Sequence, residues 1–390
     1  MSLTWFRNRG PRTWDLIRGH RDLRLLFVSN FFWSFGAMLY MFVWPNYVRD
    51  LGGGAWEIGF LSSLMFGTVA VTLVPGGWLA DRWERKRLML VTWGLATGAP
   101  LLFARARSWA ELIPGVLLYS VFLGWPAMEA YTADAVPPSR LAQAFTLTNA
   151  GYSLGAVASP LVGAGLWPSL GMRGLFVLAF GFFALSTLTL GLMRPQRPAV
   201  PARGGAGKQS RSGLWSWTLL LVLASWGSSV VRPFLPTYLE DAFGWSRPWI
   251  LAGSSAIAFG EVVWAAPLGR LGDRHGGWAM AGALGTVALG LALLLAGSWG
   301  LAPALLFLGA DRVGVSLLRS QIGREAGPRR GAVFGTTLVL ANGAQALGPL
   351  AGSALYNLRP QCPLIVAGGL AAALALLALR IGRPTRCEES

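Results

Sequence analysis

Five ionisable side chains stand inside long apolar stretches of this sequence: Glu129, Arg232, Glu261, Asp311 and Arg312. Placing charge in an apolar medium is costly, so such groups face a partner, water or a cavity, and they mark paths for ions or solutes. A carboxylic acid in a dry site loads and releases a proton near neutral pH, whereas a neighbouring guanidinium holds it ionised. Glu261 and Asp311 fall near the middle of their stretches and are the candidate coupling carboxylates. Arg232 and Arg312 are candidate counter-charges or anion contacts. Asp311 and Arg312 are adjacent, and adjacent helical residues point about 100° apart, so the two address different neighbours. The alternative reading is a set of static ion pairs holding helices together. Arg319, near the end of its stretch, can snorkel to an interface and is given no role.

The elements that position these groups follow from composition. Hydrophobic residues make up 54% of the 390-residue chain and charged residues only 13%. Twelve apolar stretches can each cross about 30 Å of hydrocarbon as a helix: roughly 23–48, 56–80, 87–105, 109–134, 142–168, 173–193, 214–239, 248–270, 278–297, 299–322, 331–357 and 361–381. They lack the alternation of barrel strands, and helices satisfy their own backbone in lipid. The expectation is an all-α membrane protein of twelve transmembrane helices.

The net charge of +16 is topological. With a cytoplasmic N-terminus, the outer turns hold only Arg49, Arg105, Arg107, Arg173, Arg247 and Arg359, and most of the 33 Lys and Arg residues fall on cytoplasmic segments. The positive-inside bias places both termini in the cytoplasm. No basic soluble domain is left for nucleic acid. Cys362 and Cys387, the two cysteines, fall on opposite sides, so no disulfide framework is expected. Residues 1–22 read as an Arg-rich amphipathic segment along the inner membrane surface, residues 382–390 as a cytoplasmic tail.

Residues 194–213, rich in Pro, Gly and basic residues, form a linker between a bundle over 23–193 and a bundle over 214–381. The bundles repeat. Pro45, Tyr47, Asp50 and Gly53 match Pro236, Tyr238, Asp241 and Gly244 at one offset, which also pairs Ser34 with Ser225 and Gly36 with Gly227. Pro75, Gly77, Asp81 and Arg82 match Pro267, Gly269, Asp273 and Arg274. Phe145, Pro160, Gly163 and Trp167 match Phe334, Pro349, Gly352 and Tyr356. Six spans per half give both halves one orientation, an architecture in which parallel repeats rock about a central site.

With these motifs the chain resembles the major facilitator superfamily over essentially its whole membrane region. Residues Gly77-Trp78-Leu79-Ala80-Asp81-Arg82-Trp83-Glu84-Arg85-Lys86 follow the family's G-x-x-x-D-R-x-G-R-K loop, with Glu84 where glycine is usual. The copy at Gly269, Asp273, Arg274 and Gly276 keeps that glycine and loses the basic pair. The resemblance implies two pseudo-symmetric six-helix bundles and a conformational latch. In it Gly77 allows close helix approach, and Asp81 accepts from the N-terminus of span 11 near Gly331 when the cytoplasmic side closes. Arg82 and Arg85 meet acidic partners or headgroups. Gly155, Pro160 and Gly163 resemble a weakened form of a kink motif of the family's antiporters, echoed by Gly348, Pro349 and Gly352. Where the family's proton-coupled drug exporters carry an arginine in span 4, this chain has Ser120.

In the family, spans 1, 4, 7 and 10 line the cavity. Asn30, Trp33, Tyr40, Trp44, Asn46, Tyr119, Trp125 and Trp226 are the candidates there, with Asn342 and Gln345 from span 11. Aromatics with a few polar groups suit an amphipathic solute, although many tryptophans anchor at interfaces instead. The reading is a secondary transporter of a small organic solute in the inner membrane, with the proton gradient as energy source. It needs no other cofactor, catalytic residue, metal or obligate protein partner and works as a monomer, exporting in antiport. An uptake symporter or facilitator for a polar metabolite is the alternative, and a non-transporting receptor or assembly protein is the alternative of another class. No G-x-x-x-x-G-K-[ST] loop for nucleotide is present.

Overall fold

A computed structural model describes residues 19–137, 140–197, 212–325 and 330–381. The segments 1–18, 198–211 and 382–390, which carry most of the amphipathic, linker and tail readings, lie outside the described residues. The described chain is helical. Its elements are α1 (Arg21–Met38), α2 (Trp44–Asp50), α3 (Ala55–Ala80), α4 (Arg85–Thr97), α5 (Ala99–Arg105), α6 (Ile113–Tyr119), α7 (Trp125–Asp134), α8 (Leu141–Gly191), α9 (Ser212–Val231) and α10 (Leu235–Phe243). They continue with α11 (Arg247–Arg274), α12 (Gly276–Leu295), α13 (Leu301–Leu308), α14 (Ala310–Glu325), α15 (Arg330–Leu358) and α16 (Cys362–Ile381).

Among the described residues, nine helical segments are long and apolar enough to cross a membrane. One of them, 49 residues long, folds back at Gly171 (φ 57°) and supplies two crossings. That left-handed φ is one that glycine adopts without steric cost. The pairs α1–α2 and α6–α7 are each interrupted and complete the set of twelve. The all-α, twelve-span fold in two pseudo-symmetric bundles is therefore present.

The sequence drew spans 1, 4, 7 and 10 as continuous, and each is interrupted at mid-depth. The interruptions fall at residues 39–43, 120–124, 232–234 and Gly309. In the first three the helix resumes with a proline in its first turn, at Pro45, Pro126 and Pro236. Proline lacks the N–H that would continue the ladder and suits a first helical turn.

The predicted kink motif is a close crossing. A methyl group at Gly155 would stand 2.8 Å from both Phe31 O and Phe35 N, and Ser159 Oγ donates to Phe35 O over 2.5 Å. Gly163 meets Leu39 O one turn further on. In the second half Gly348 and Gly352 lie the same way on Trp226, Ser229 and Val230 of α9. Small residues at four-residue spacing let two backbones touch, which is how helices pack in lipid without a hydrophobic driving force.

The halves join through α3 on α15 and α8 on α11. Twelve crossings put Arg21, Arg194 and Ile381 on one face, termed the terminal face; the other is the distal face. At the distal end one core is shared by both halves, with Tyr40, Tyr47 and Leu61 packed together with Phe234, Tyr238 and Leu251. Towards the terminal face the core divides. Leu26, Trp33, Met89 and Phe183 belong to one half, and Trp217, Leu220, Leu318 and Ile322 to the other. The α3–α15 crossing diverges in step. A methyl at Gly59 would lie 2.7 Å from Pro349 O, one at Gly67 would lie 3.8 Å from Ala346 Cβ, and one at Gly77 would meet nothing within 4 Å.

Candidate functional site

A cavity of about 340 Å³ occupies the divergence between the halves. Its two walls differ in chemistry. The N-terminal half contributes Met38, Met41, Phe42, Met65 and Phe66, while the C-terminal half contributes Arg232, Glu261, Asp311 and Arg312. Unbranched, polarisable methionines repack around varied apolar shapes. The methionines lie outside the sequence-derived candidates; the run Met38-Leu39-Tyr40-Met41, at the point where span 1 breaks, is the signal that marks them.

The four charges form two pairs. Arg232 Nη2 lies 3.9 Å from Asp311 Oδ2, and Arg312 Nε lies 3.8 Å from Glu261 Oε2. Asp311 also accepts from Ser228 Oγ at 2.7 Å. Arg312 stands 6.0 Å from the centre of the Tyr152 ring, on the opposite half. The adjacent Asp311 and Arg312 thus address α9 and α11 separately, as the helical offset requires. The pairing of Arg312 with Glu261 depends on two glycines. A methyl at Gly309 would overlap the backbone nitrogen of Glu261, and one at Gly260 would overlap Leu306 O. Overpacking of this kind costs about 1–3 kcal/mol. Gly309→Ala is therefore expected to lower the thermal midpoint by several degrees and to weaken solute binding, measured together on purified protein.

The remaining candidates divide between the cavity and other places. Trp44 and Tyr119 line the cavity. Trp33 stacks on Phe183 at 4.2 Å inside the first-half core, and Tyr40 is enclosed beside Phe176 and Phe103. Asn30 donates to Thr148 O and Asn342 to Leu338 O, both outside the cavity lining, as are Trp226 and Gln345. Glu129 accepts from Trp125 Nε1 at 2.9 Å, closing a local pair on α7 apart from the four charges. A bundle interior and a cavity wall draw on the same aromatic residues, so their types alone do not separate them.

Asn46 belongs to a second cluster, at the distal face. Its Nδ2 donates to Glu240 Oε2 at 2.7 Å and to Pro236 O at 3.3 Å. Arg49 pairs with Asp241 at 2.7 Å, and Arg247 with Asp50 at 2.9 Å and Glu240 at 3.1 Å. Tyr356 Oη donates to Asp241 Oδ2 at 2.7 Å. Among the described residues, the ion pairs that cross between halves all lie here. The two copies of the repeated Pro-x-Tyr-x-x-Asp segment face each other, so the duplicated motif builds both sides of this closure.

At the terminal face, Asp81 is exposed and α15 side chains around Gly331 lie outside the described residues. Gly77 and Gly269 make no close approach in this conformation. The tight contact is one residue earlier, where Gly76 faces Leu123 O. Arg82 stacks on Trp78, and Arg85 is buried within its own half, bonded to Asp134, Ala130 O and Gln196 Oε1. Of the two contacts expected for Arg85, an acidic partner or a headgroup, it makes the first, with Asp134. Asp273 pairs with Arg324 at 3.3 Å, and Arg274 is exposed.

Two bundles that share a core at one face, divide at the other and enclose a charged cavity between them have the architecture of a membrane transporter. The profile of the Major Facilitator Superfamily matches residues 26–318 and 217–388, and the chain belongs to that family. It is similar to the multi-drug resistance efflux pump PmrA of Streptococcus pneumoniae, with 26% identity over 359 residues covering 86% of this chain and 89% of that protein. The enterobactin exporter EntS of Shigella flexneri is 28% identical over 198 residues, 48% of this chain and 47% of the exporter. The structure of a POT family transporter in complex with 5-aminolevulinic acid superposes with a TM-score of 0.74 at 16% identity, covering 93% of this chain and 96% of that one. The human organic anion transporter MFSD10 gives 0.70 at 20% identity, covering 95% and 100%. At these identities the structural likeness speaks for the fold alone.

Proposed function

We propose that this chain is a secondary exporter of small amphipathic organic solutes, exchanging them for protons across the cytoplasmic membrane. The observation that carries the reading is the cavity's two-sided chemistry, an adaptable apolar wall facing a charged one, between halves closed at the distal face and parted at the terminal face. Similarity to PmrA over most of both chains supports export rather than uptake. The basic residues of the terminal face support its assignment as cytoplasmic, which leaves the cavity accessible from inside. Glu261 and Asp311 are the groups at which a proton enters the cycle, and Asp81 is the latch that closes the cytoplasmic side when the cavity turns outward. The bilayer and the solute are its partners, and the chain acts as a monomer without a bound cofactor.

The test is flux in vesicles reconstituted with the purified protein. Under an imposed pH gradient, amphipathic dyes are expected to move against the proton flow and polar metabolites are not. Flux indifferent to the gradient removes the coupling. A preference for polar metabolites moving with the proton favours a symporter.

A further inference from the structure

Four arginines lying between the halves fall into two groups. At the distal face Arg49 and Arg247 close on carboxylates at 2.7 and 2.9 Å, full charge-assisted hydrogen bonds. In the cavity the pairs Arg232–Asp311 and Arg312–Glu261 stop at 3.9 and 3.8 Å, beyond hydrogen-bond length. The cavity charges attract one another but leave donor and acceptor positions open. Within the first pair the open end is the arginine: its side chain is 46% exposed against 23% for Asp311, which Ser228 also holds. Within the second pair the exposures are close, 42% for Arg312 and 35% for Glu261, and the attendant decides: Tyr152 stands by Arg312, and among the described residues none stands by Glu261. The cavity thus presents one available guanidinium, Arg232, and one available carboxylate, Glu261.

Charge conservation then selects the solute. The four groups sum to zero. A monoanion would sit on Arg232 and leave Glu261 without a new partner, and a monocation would do the reverse. Either leaves a net charge in the cavity once the terminal face closes over it, where an uncompensated ion is costly. A solute with both charges completes an alternating row: Asp311, Arg232, its carboxylate, its ammonium, Glu261, Arg312. The methionine and phenylalanine wall takes its apolar body. We infer that the transported solutes are amphipathic zwitterions, with an acidic group on Arg232 and a cationic amine on Glu261. This rests on the transport reading and narrows its substrate class.

The test uses two matched series on purified protein, one built on 3-(2-naphthyl)alanine and one on a naphthyl-substituted 6-aminohexanoic acid, which differ in charge spacing. Each includes the zwitterion, its primary amide (cation), its N-acetyl acid (anion) and the doubly blocked compound. Binding is measured by calorimetry at about pH 6.5, below the ordinary α-amino range. The zwitterion of at least one series is expected to bind at least about 10-fold tighter than both singly charged derivatives. Glu261→Gln is expected to erase the advantage over the N-acetyl acid, and Arg232→Gln the advantage over the amide. A singly charged derivative that binds as well, or no binding in either series, overturns the proposal. If the series is flat while vesicles still export neutral amphipathic dyes, the zwitterion assignment fails and the exporter stands. If the preference holds while no solute is carried, the transport reading fails instead.

Discussion

Replacing Arg247 with glutamate is expected to open the distal face and stop net transport. Arg247 is only 17% exposed and bridges Asp50 on the first half and Glu240 on the second, at 2.9 and 3.1 Å. A carboxylate in its place faces two others at close range, and like charges so juxtaposed cost several kcal/mol. Each 1.4 kcal/mol is a factor of ten, so the balance between distal-closed and distal-open forms shifts by about 100-fold or more. The shared core that includes Tyr238 and Leu251 is what the altered charges must part. The measurement is the labelling rate of a cysteine at position 41, on the cavity wall, by an impermeant thiol reagent applied from the distal side, with Cys362 and Cys387 replaced by serine. Labelling is expected to rise at least about 10-fold in Arg247→Glu. Adding Asp50→Arg restores one attraction and leaves Glu240 opposed, so it rescues in part. Unchanged labelling in the single variant shows that the apolar core alone holds this face.

That closure could be read in the sequence only as a repeat. The match between Pro45–Asp50 and Pro236–Asp241 marks gene-level duplication, and duplicated segments of parallel halves meet across the pseudo-twofold axis at the same depth. Arg49 and Glu240, which break the repeat, supply the opposite charges that let its copies bond. The spans were legible because lipid leaves a helix no alternative to a long apolar run. The mid-depth breaks were not, since Pro45, Pro126 and Pro236 can sit in the first turn of a resumed helix or at a span end with equal ease. The five intramembrane charges were legible by their cost, and the structure gathers Arg232, Glu261, Asp311 and Arg312 into one cavity while Glu129 pairs with Trp125 apart from them. Their pairing was hidden because it depends on the Gly260–Gly309 crossing, a contact between helices with no local signature. Trp33 and Tyr40 were misplaced for the opposite reason: an aromatic side chain reads alike whether it faces Phe183 in a core or a solute in a cavity.

Glu261→Gln is expected to uncouple the cycle, and more severely than Asp311→Asn. Glu261 faces Arg312 on α14, with Arg232 in the break after α9 and Tyr119 on α6 around the same cavity, and Tyr152 on α8 beside Arg312. If a zwitterion's amine and a proton share this carboxylate, they bind in turn, which is the condition for exchange: the proton taken up on the acidic outer side keeps the amine away, and its release to the cytoplasm readmits it. Glutamine carries neither a proton nor a charge, and it leaves Arg312 facing an amide. Breaking a buried pair costs about 3–5 kcal/mol, and the cavity exposure of these side chains, 42% and 35%, reduces this to roughly 2–3 kcal/mol. Gradient-driven efflux is therefore expected to fall about 100-fold. Solute counterflow without a gradient needs no proton and should fall less, by the loss of the amine contact alone. Asparagine at 311 still accepts from Ser228 Oγ, so the smaller loss, about 10-fold, belongs to that variant. Efflux by Glu261→Gln that still follows the pH gradient as the parent does would move the coupling role to Asp311. The same outcome in both variants would take proton exchange out of the mechanism and leave the four charges as a solute site alone.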